Sequence, residues 1–387
     1  MTNKAFHFNT VGDIKCGAGV CENLVQELKN LGVERPLVVT DQGLVQCGLI
    51  ANIEKTLTAG SVSFSAYSDV IPDPTDTVVL AALDLAKTNQ CDGVIGFGGG
   101  SSMDVAKLIA VLLKENQGLD DIYGVDQVTG PRFPLIQIPT TAGTGSEVTS
   151  VAIITTGGNT KKGVVSSVLM SDLVLLDPVF TLGLPPHVTA ATGIDAMVHA
   201  IEAYTSKIRK NPISDMLAKE ALRLLSANIS CAVKEGSNLD ARENMLLGAM
   251  FAGQAFANAP VAAVHALAYP LGGNYHIPHG LSNSLVLPHV LRFNAEAAAS
   301  EYREIAEIIF AKKCDDLSDA DVIEKLASYF LELAQDLGLQ TELKQMNIPE
   351  SDLTKLANEA MDQQRLLVNN PRDVSEADAL KIYQQAY

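Results

Sequence analysis

Apolar positions recur along the chain in two rhythms, and the place where one gives way to the other divides it. In the first half, short β-branched runs at residues 35–40, 93–97, 135–138 and 151–155 read as strands, while residues 20–31, 75–87 and 103–115 carry apolar side chains at helical spacing. That alternation predicts βαβ units around a parallel sheet. Pro178, Gly183, Pro185 and Pro186 then punctuate residues 177–186, and beyond them β-like runs fade while Ala, Leu and Glu dominate to Tyr387. Residues 215–225, 243–257, 295–310 and 320–337 repeat apolar positions at helical spacing, with no fixed-period repeat between them. The pattern predicts an α/β N-terminal domain over residues 1–180 and an all-helical C-terminal domain over residues 181–387.

Composition narrows the function more than the fold. A chain of 387 residues, 47% hydrophobic and 19% charged, has enough apolar surface for two sizeable cores. Its 28 basic and 45 acidic residues leave a net charge of −17, and no stretch gathers Lys and Arg into a stripe. A nucleic-acid partner is therefore excluded. Residues 1–9 hold one Lys and no apolar region of the length a secretory signal needs, and no stretch approaches about 18 uninterrupted apolar residues, so a soluble protein with no membrane partner is expected. Cys16, Cys21, Cys47, Cys91, Cys231 and Cys314 are scattered without CxxC pairs. That usage fits a reducing cytoplasm and neither a disulfide framework nor a zinc ribbon.

The first candidate chemistry lies at residues 93–102, where an apolar strand runs into Gly98, Gly99, Gly100, Ser101 and Ser102 ahead of a helical run. Without a Cβ, glycine lets backbone N–H groups approach a pyrophosphate, and the following helix N-terminus adds partial positive charge. An ordinary turn capped by Ser102 would need one glycine, hardly three. The pattern matches neither common fingerprint: Ser101 replaces the last glycine of GxGxxG, and Lys107 lies too far along to act as a Walker lysine. A ribose-binding carboxylate usually follows the glycines by about 20 residues, whereas the candidate here, Asp41, ends a strand well before them. The strand order must therefore differ from the usual one, and Asp41 suits a helix N-cap as well as a ribose contact. Residues 139–147, crowded with hydroxyls and glycines after another strand, suit either phosphate and ribose contacts or a plain polar turn.

The second candidate is a histidine cluster. Of seven histidines, His265, His276, His279 and His289 fall within 25 residues. Asp195 and His199 stand at i and i+4 in a helical stretch, the spacing that sets a metal pair on one face, or a bland surface pair. With His265 and His279 they would make a set of three imidazoles and one carboxylate, leaving positions open for a substrate oxygen.

These residues stand in longer motifs: Gly98-Gly99-Gly100-Ser101-x-x-Asp104-x-Ala106-Lys107, Pro139-Thr140-Thr141-Ala142-Gly143-Thr144-Gly145-Ser146-Glu147, Thr192-Gly193-x-Asp195-Ala196-x-x-His199-x-x-Glu202, His265-Ala266-Leu267-Ala268-x-Pro270-Leu271-Gly272, and Pro278-His279-Gly280 continuing through Asn283 and Leu287-Pro288-His289. Over nearly the whole chain they resemble the iron-containing (group III) alcohol dehydrogenases. The resemblance implies an NAD(P)-binding α/β domain and a helical metal domain, with the site in the cleft between them and at least a dimer as the assembly. It implies a divalent metal, iron first and zinc as an alternative, on Asp195, His199, His265 and His279. It implies cofactor contacts from Gly98, Gly99, Gly100, Ser101 and Asp104, from Thr140, Thr141 and Thr144, and from Lys161. Asp41 stands where NAD-preferring members keep a carboxylate, so NAD is expected over NADP.

Two positions depart from the family pattern. Ser102 replaces a usual proline, and Tyr269 stands where many members have a further histidine, which opens the question of how the proton leaves. His276, three residues before His279, is the expected proton relay because imidazole is the usual carrier near neutral pH. Tyr269, four residues after His265, is the second candidate. The function implied is reversible hydride transfer between a short-chain alcohol or diol, or its aldehyde, and NAD(H). A maleylacetate reductase-like activity is the alternative within the superfamily, and a nucleotide-binding scaffold without turnover is the alternative outside it.

Overall fold

The computed structural model describes residues 5–157 and 160–387, so the first residues of the 1–9 segment lie outside it. The chain forms two compact units, Asn9–Gly183 and Leu184–Tyr387, the second joined by the N-terminal segment up to Phe8. The division falls within the punctuated segment 177–186. The expected limit falls at 180/181; the division lies three residues later, and the segment up to Phe8 groups with the helical unit.

Among the described residues, nine strands form in the first unit: β1 (Asp13–Cys16), β2 (Pro36–Asp41), β3 (Ser65–Val70), β4 (Gly93–Gly98), β5 (Gly124–Val125), β6 (Leu135–Pro139), β7 (Val151–Thr156), β8 (Thr160–Val165) and β9 (Leu173–Leu176). Six of them build a sheet in the order β1-β9-β6-β4-β2-β3, every pair parallel. Side chains alternate across it. Leu37, Val39 and Val94 pack one core with Val105, Leu108 and Ile109 of the helix Gly100–Leu112. Val38, Ile95, Phe97 and Ile138 pack the other with Leu24, Leu28, Ile53 and Leu57. Burying such a residue contributes roughly 1.5–3 kcal/mol, which is why a sheet covered on both faces reads as unbroken apolar runs.

The order explains where ligands can go. From β2 the chain moves outward to β3, then crosses back to β4 and proceeds through β6 to β9, so its direction reverses between β2 and β4. In parallel α/β sheets that reversal opens a crevice at the strands' C-terminal ends. Asp41 ends β2, Gly98 ends β4 and Thr140 follows β6.

The run at 151–155 is a strand, as expected, but not of the parallel sheet. β7 pairs antiparallel with β8 in a separate three-stranded sheet. Only residues 157–159 separate them, too few for a parallel crossover.

The second unit contains helices and no strand among its described residues. Its longest members are Pro186–Thr205, Pro212–Lys234, Leu239–Asn258, Ala263–Tyr275, His279–Asn294 and Asp319–Asp336. Pro186 and Pro212 sit in the first turns, where the missing N–H costs nothing, and Asn211 caps the second helix through the N–H groups of Ile213 and Ser214. Two glycines fix how closely the helices approach. A Cβ at Gly280 would lie 2.3 Å from the carbonyl oxygen of Ala191, and one at Gly193 would lie 2.8 Å from Cε of Met245. Among the described residues no single helix is long and apolar enough to cross a membrane, and no cysteine forms a disulfide.

Candidate metal centre and dinucleotide loop

The helix Pro186–Thr205 carries Asp195, His199 and Glu202 at i, i+4 and i+7, all buried on one face. The helix Ala263–Tyr275 brings His265, and Pro278 starts the helix that brings His279. Because Gly280 lets this last helix meet the backbone at Ala191, His279 arrives beside Asp195. One ligand atom from each of Asp195, His199, His265 and His279 lies within 4.8 Å of the others. The imidazoles are layered: His199 stacks between Phe256 at 4.4 Å and His265 at 4.7 Å, and His265 meets His279 at 5.3 Å. The Asp195 and His265 side chains are 2% and 3% exposed, whereas His279 is 37% exposed, so the cluster opens on the His279 side.

Two further residues complete the centre, and both were quoted in sequence motifs without a role. Glu202 Oε2 lies 2.5 Å from His265 Nδ1, while Oε1 accepts the backbone N–H of Val264. A carboxylate behind an imidazole keeps the proton on Nδ1 and leaves Nε2 as the donor to a metal. Asn283, fully buried, donates from Nδ2 to Asp195 Oδ1 at 2.6 Å and lies 3.3 Å from Nε2 of both His265 and His279. Both follow from spacing, Glu202 at i+7 from Asp195 and Asn283 at i+4 from His279. Burial pushes the Asp195 carboxyl up, but the imidazoles of His199, His279 and His265 and the bond from Asn283 outweigh it and hold it below the ordinary carboxylate range. Three imidazole nitrogens and one ionised carboxylate, converging in a buried site with an open side, fit a divalent ion of the first transition row.

The two expected proton relays part company. The Tyr269 ring stands 6.0 Å from the His279 ring. His276 is exposed, caps the end of its helix in a left-handed conformation at φ 54°, and makes no described side-chain contact with the four clustered residues. Of the two candidates, Tyr269 is the one with a described contact to a clustered histidine.

In the first unit, the loop after β4 and the loop after β6 close on each other. A Cβ at Gly100 would lie 2.9 Å from Cγ2 of Thr144, and one at Gly99 3.6 Å from Oγ1 of Thr141, while the N–H of Thr140 donates to the carbonyl of Gly98. Gly98 has φ 154°, and a Cβ there would strike Ser102 Oγ at 2.7 Å. Asp41 is a helix N-cap that also lies beside the glycine loop. Its Oδ1 accepts the N–H of Leu44 as an N-cap, and its Oδ2 lies 3.4 Å from where a Gly98 Cβ would stand.

Asp104 braces these loops from the helix that follows the glycines. Its Oδ1 accepts from Ser146 Oγ at 2.6 Å and from the fully buried Lys107, and its Oδ2 accepts the N–H of Ile153. Both of its oxygens are thus spent on stitching the glycine-loop helix to the strands beyond β6. Lys107 also donates to Ser146, Thr149 and the Val151 carbonyl, so it is no phosphate ligand. Lys161, on β8, is ion-paired with Asp73 at 2.7 Å.

A parallel sheet with a glycine loop at its switch point, in one chain with a buried cluster of three imidazoles and a carboxylate, defines a class: oxidoreductases that pair a nicotinamide nucleotide with a metal. Comparison with known proteins agrees. Residues 12–178 match the model of iron-containing alcohol dehydrogenase, and residues 189–387 match the C-terminal model of the Fe-containing alcohol dehydrogenase family. The long-chain-alcohol dehydrogenase 1 of Geobacillus thermodenitrificans is 40% identical over 374 residues, 96% of this chain and 94% of the relative. The crystal structure of a 1,3-propanediol oxidoreductase superposes with a TM-score of 0.95 at 34% identity, covering 99% of this chain and 100% of that one. That of a sulfoacetaldehyde reductase from Bifidobacterium kashiwanohense, in complex with NAD+, gives 0.89 at 29% identity, covering 99% of each chain. The chain belongs to the iron-containing alcohol dehydrogenase family, and it is an oxidoreductase of alcohols and aldehydes.

Proposed function

We propose that this enzyme prefers NAD(H) to NADP(H), works with a divalent ion, iron before zinc, and interconverts short alcohols or diols with their aldehydes. The observation that carries the reading is the buried convergence of Asp195, His199, His265 and His279 within 4.8 Å. A divalent ion held there supplies Lewis-acid polarisation of a substrate oxygen. Glu202 keeps the His265 proton on Nδ1, and Asn283 holds the Asp195 carboxylate in place by donating to Oδ1, the oxygen that faces His265 and His279. During oxidation the alcohol loses a hydride to the nicotinamide and a proton to solvent. Tyr269, on the open side, stands where a phenol can hand that proton outward.

On the cofactor side, the N–H groups around Gly98, Gly99, Gly100 and Ser101 take the pyrophosphate. Thr140, Thr141 and Thr144 line the same loop pair, and Asp41 Oδ2 accepts the ribose hydroxyls. Asp104 supports that loop through Ser146, and Lys161 reaches the cofactor only by leaving Asp73. Assembly as a homo-oligomer, at least a dimer, in the cytoplasm completes the reading. It is tested by metal analysis of anaerobically purified protein together with an activity screen over short alcohols and diols with both nucleotides. Turnover that survives complete removal of metal by a chelator overturns it.

A further inference from the structure

We infer that Arg365 makes this centre select substrates carrying an anionic group, a carboxylate or a sulfonate, at the end remote from the reacting carbon. The inference rests on the proposed alcohol–aldehyde chemistry and adds to it a substrate class and the residue that reads it.

Arg365 lies on a short helix, Gln364–Leu367, whose Leu366 and Leu367 are buried. The buried Asn369 ties this helix down by donating from Nδ2 to the carbonyls of both Arg365 and Val261, just before the helix that carries His265 and Tyr269. The Arg365 backbone is thereby anchored, and its exposed guanidinium lies beside Tyr269: Nη2 is 3.5 Å from the phenol oxygen, and the guanidinium carbon is 6.0 Å from the ring centre. The same ring is 6.0 Å from His279, on the open side of the metal cluster.

Arg132, Arg223, Arg292 and Arg303 each hold a carboxylate within 2.6 Å, and the buried Arg242 is satisfied by Thr189 Oγ1 and the Gly236 carbonyl, whereas the exposed guanidinium of Arg365 lies against the phenol of Tyr269 with no carboxylate within 4.0 Å among the described residues. The two buried carboxylates at the centre, Asp195 and Glu202, already match the charge of a divalent ion. The guanidinium is thus a positive charge beyond what the metal site requires, placed at its mouth. A planar fork of N–H donors recognises two oxygens of a carboxylate or sulfonate, and such charge-assisted pairs are the strong ones.

The test compares matched aldehydes on the metal-loaded enzyme with NADH: 4-oxobutanoate against butanal, and 2-oxoethanesulfonate against propanal. In each pair the reaction is the same, aldehyde plus NADH plus a proton giving alcohol plus NAD+. The expected result is that Arg365→Gln lowers the anionic-to-neutral ratio of kcat/KM by about tenfold, that Arg365→Glu lowers it by about a hundredfold, and that Arg365→Lys restores part of it. Which pair responds more strongly tells carboxylate from sulfonate. Inhibition by methanesulfonate should weaken in the same order, a readout that a merely structural arginine would not move. A ratio that stays within twofold across all three variants overturns the inference. Failure of the parent enzyme to reduce any of the four aldehydes instead overturns the alcohol–aldehyde reading, and this inference with it.

Discussion

Glu202 holds His265 from behind, with Oε2 2.5 Å from Nδ1 and Oε1 on the N–H of Val264. The imidazole is fixed in both tautomer and orientation before any ion arrives. Glu202→Gln keeps the shape but removes the charge that makes Nε2 a better donor. Metal affinity measured by chelator competition should fall by about 10–100-fold, as carboxylate partners of ligating histidines generally dictate. Unchanged affinity would leave Glu202 a packing residue.

Asn283 offers a parallel test from the other side of the cluster. Its bond to Asp195 Oδ1 orients the carboxylate toward the imidazoles of His265 and His279. Asn283→Ala should weaken metal binding by about tenfold or more. The measurement is metal retained on dialysis, against an unaltered circular dichroism spectrum.

For the proton, Tyr269 has the described contact with His279, and we expect it rather than His276 to be the relay. Tyr269→Phe should lower kcat by about 10–100-fold with metal content unchanged, and His276→Ala should lower it far less. The reverse order in steady-state kinetics would restore His276 as the relay.

Asp41 does two jobs with two oxygens, and they can be separated. Asn is as good an N-cap as Asp, so Asp41→Asn should leave the helix Gln42–Gln46 in place while removing the charge that repels a 2′-phosphate. The ratio of kcat/KM for NADP to that for NAD should rise by about tenfold or more. If the parent enzyme already uses both nucleotides equally, the carboxylate is a cap alone.

Glu147 sets a pH dependence of stability. Burial pushes its carboxyl up from 4.5 to about 7, against the pull of its own backbone bond and of Lys107. Between those values the folded chain binds a proton that the unfolded chain has released. Stability is therefore fully present below about pH 4.5 and falls as pH rises through 7, by roughly 3 kcal/mol. Glu147→Gln should flatten this decline in thermal melts of the metal-free protein across that range. An equally steep decline in the variant assigns it to other groups.

The sequence made much of this site legible because its signals are periodic or compositional. β2, β4 and β6 announce themselves as apolar runs, and the four clustered ligands are rare residue types at short spacings. β1 and β9 escaped because four-residue strands carry too little pattern. The helices holding His265 and His279 escaped as elements because Pro270 and Pro288 lie inside them, and an interior proline reads as a break. Asp104 was misread for a different reason. Its motif position is near the phosphate loop, yet only the fold reveals that Ser146 and Ile153 claim both oxygens. Glu202 and Asn283 were on the correct helical faces by spacing, but a carboxylate and an amide are too common to stand out. Arg365 belongs to no motif and becomes visible only when Tyr269 is placed beside it.

The contact between Gly280 and Ala191 has a consequence for how the protein unfolds. It brings together side chains that the chain separates widely, for Asp195 and His279 come from helices at opposite ends of a long excursion through three others. An ion shared between them closes that excursion as a cross-link would, and loop closure of this length grows only slowly more costly. Because the unfolded chain cannot assemble the set, every increment of free metal above the dissociation constant adds to the melting temperature by mass action, about 2.7 kcal/mol at a hundredfold excess. An ion bound for the proposed catalysis would thus double as a thermodynamic clasp, and metal supply would set the lifetime of the fold as well as its rate of turnover.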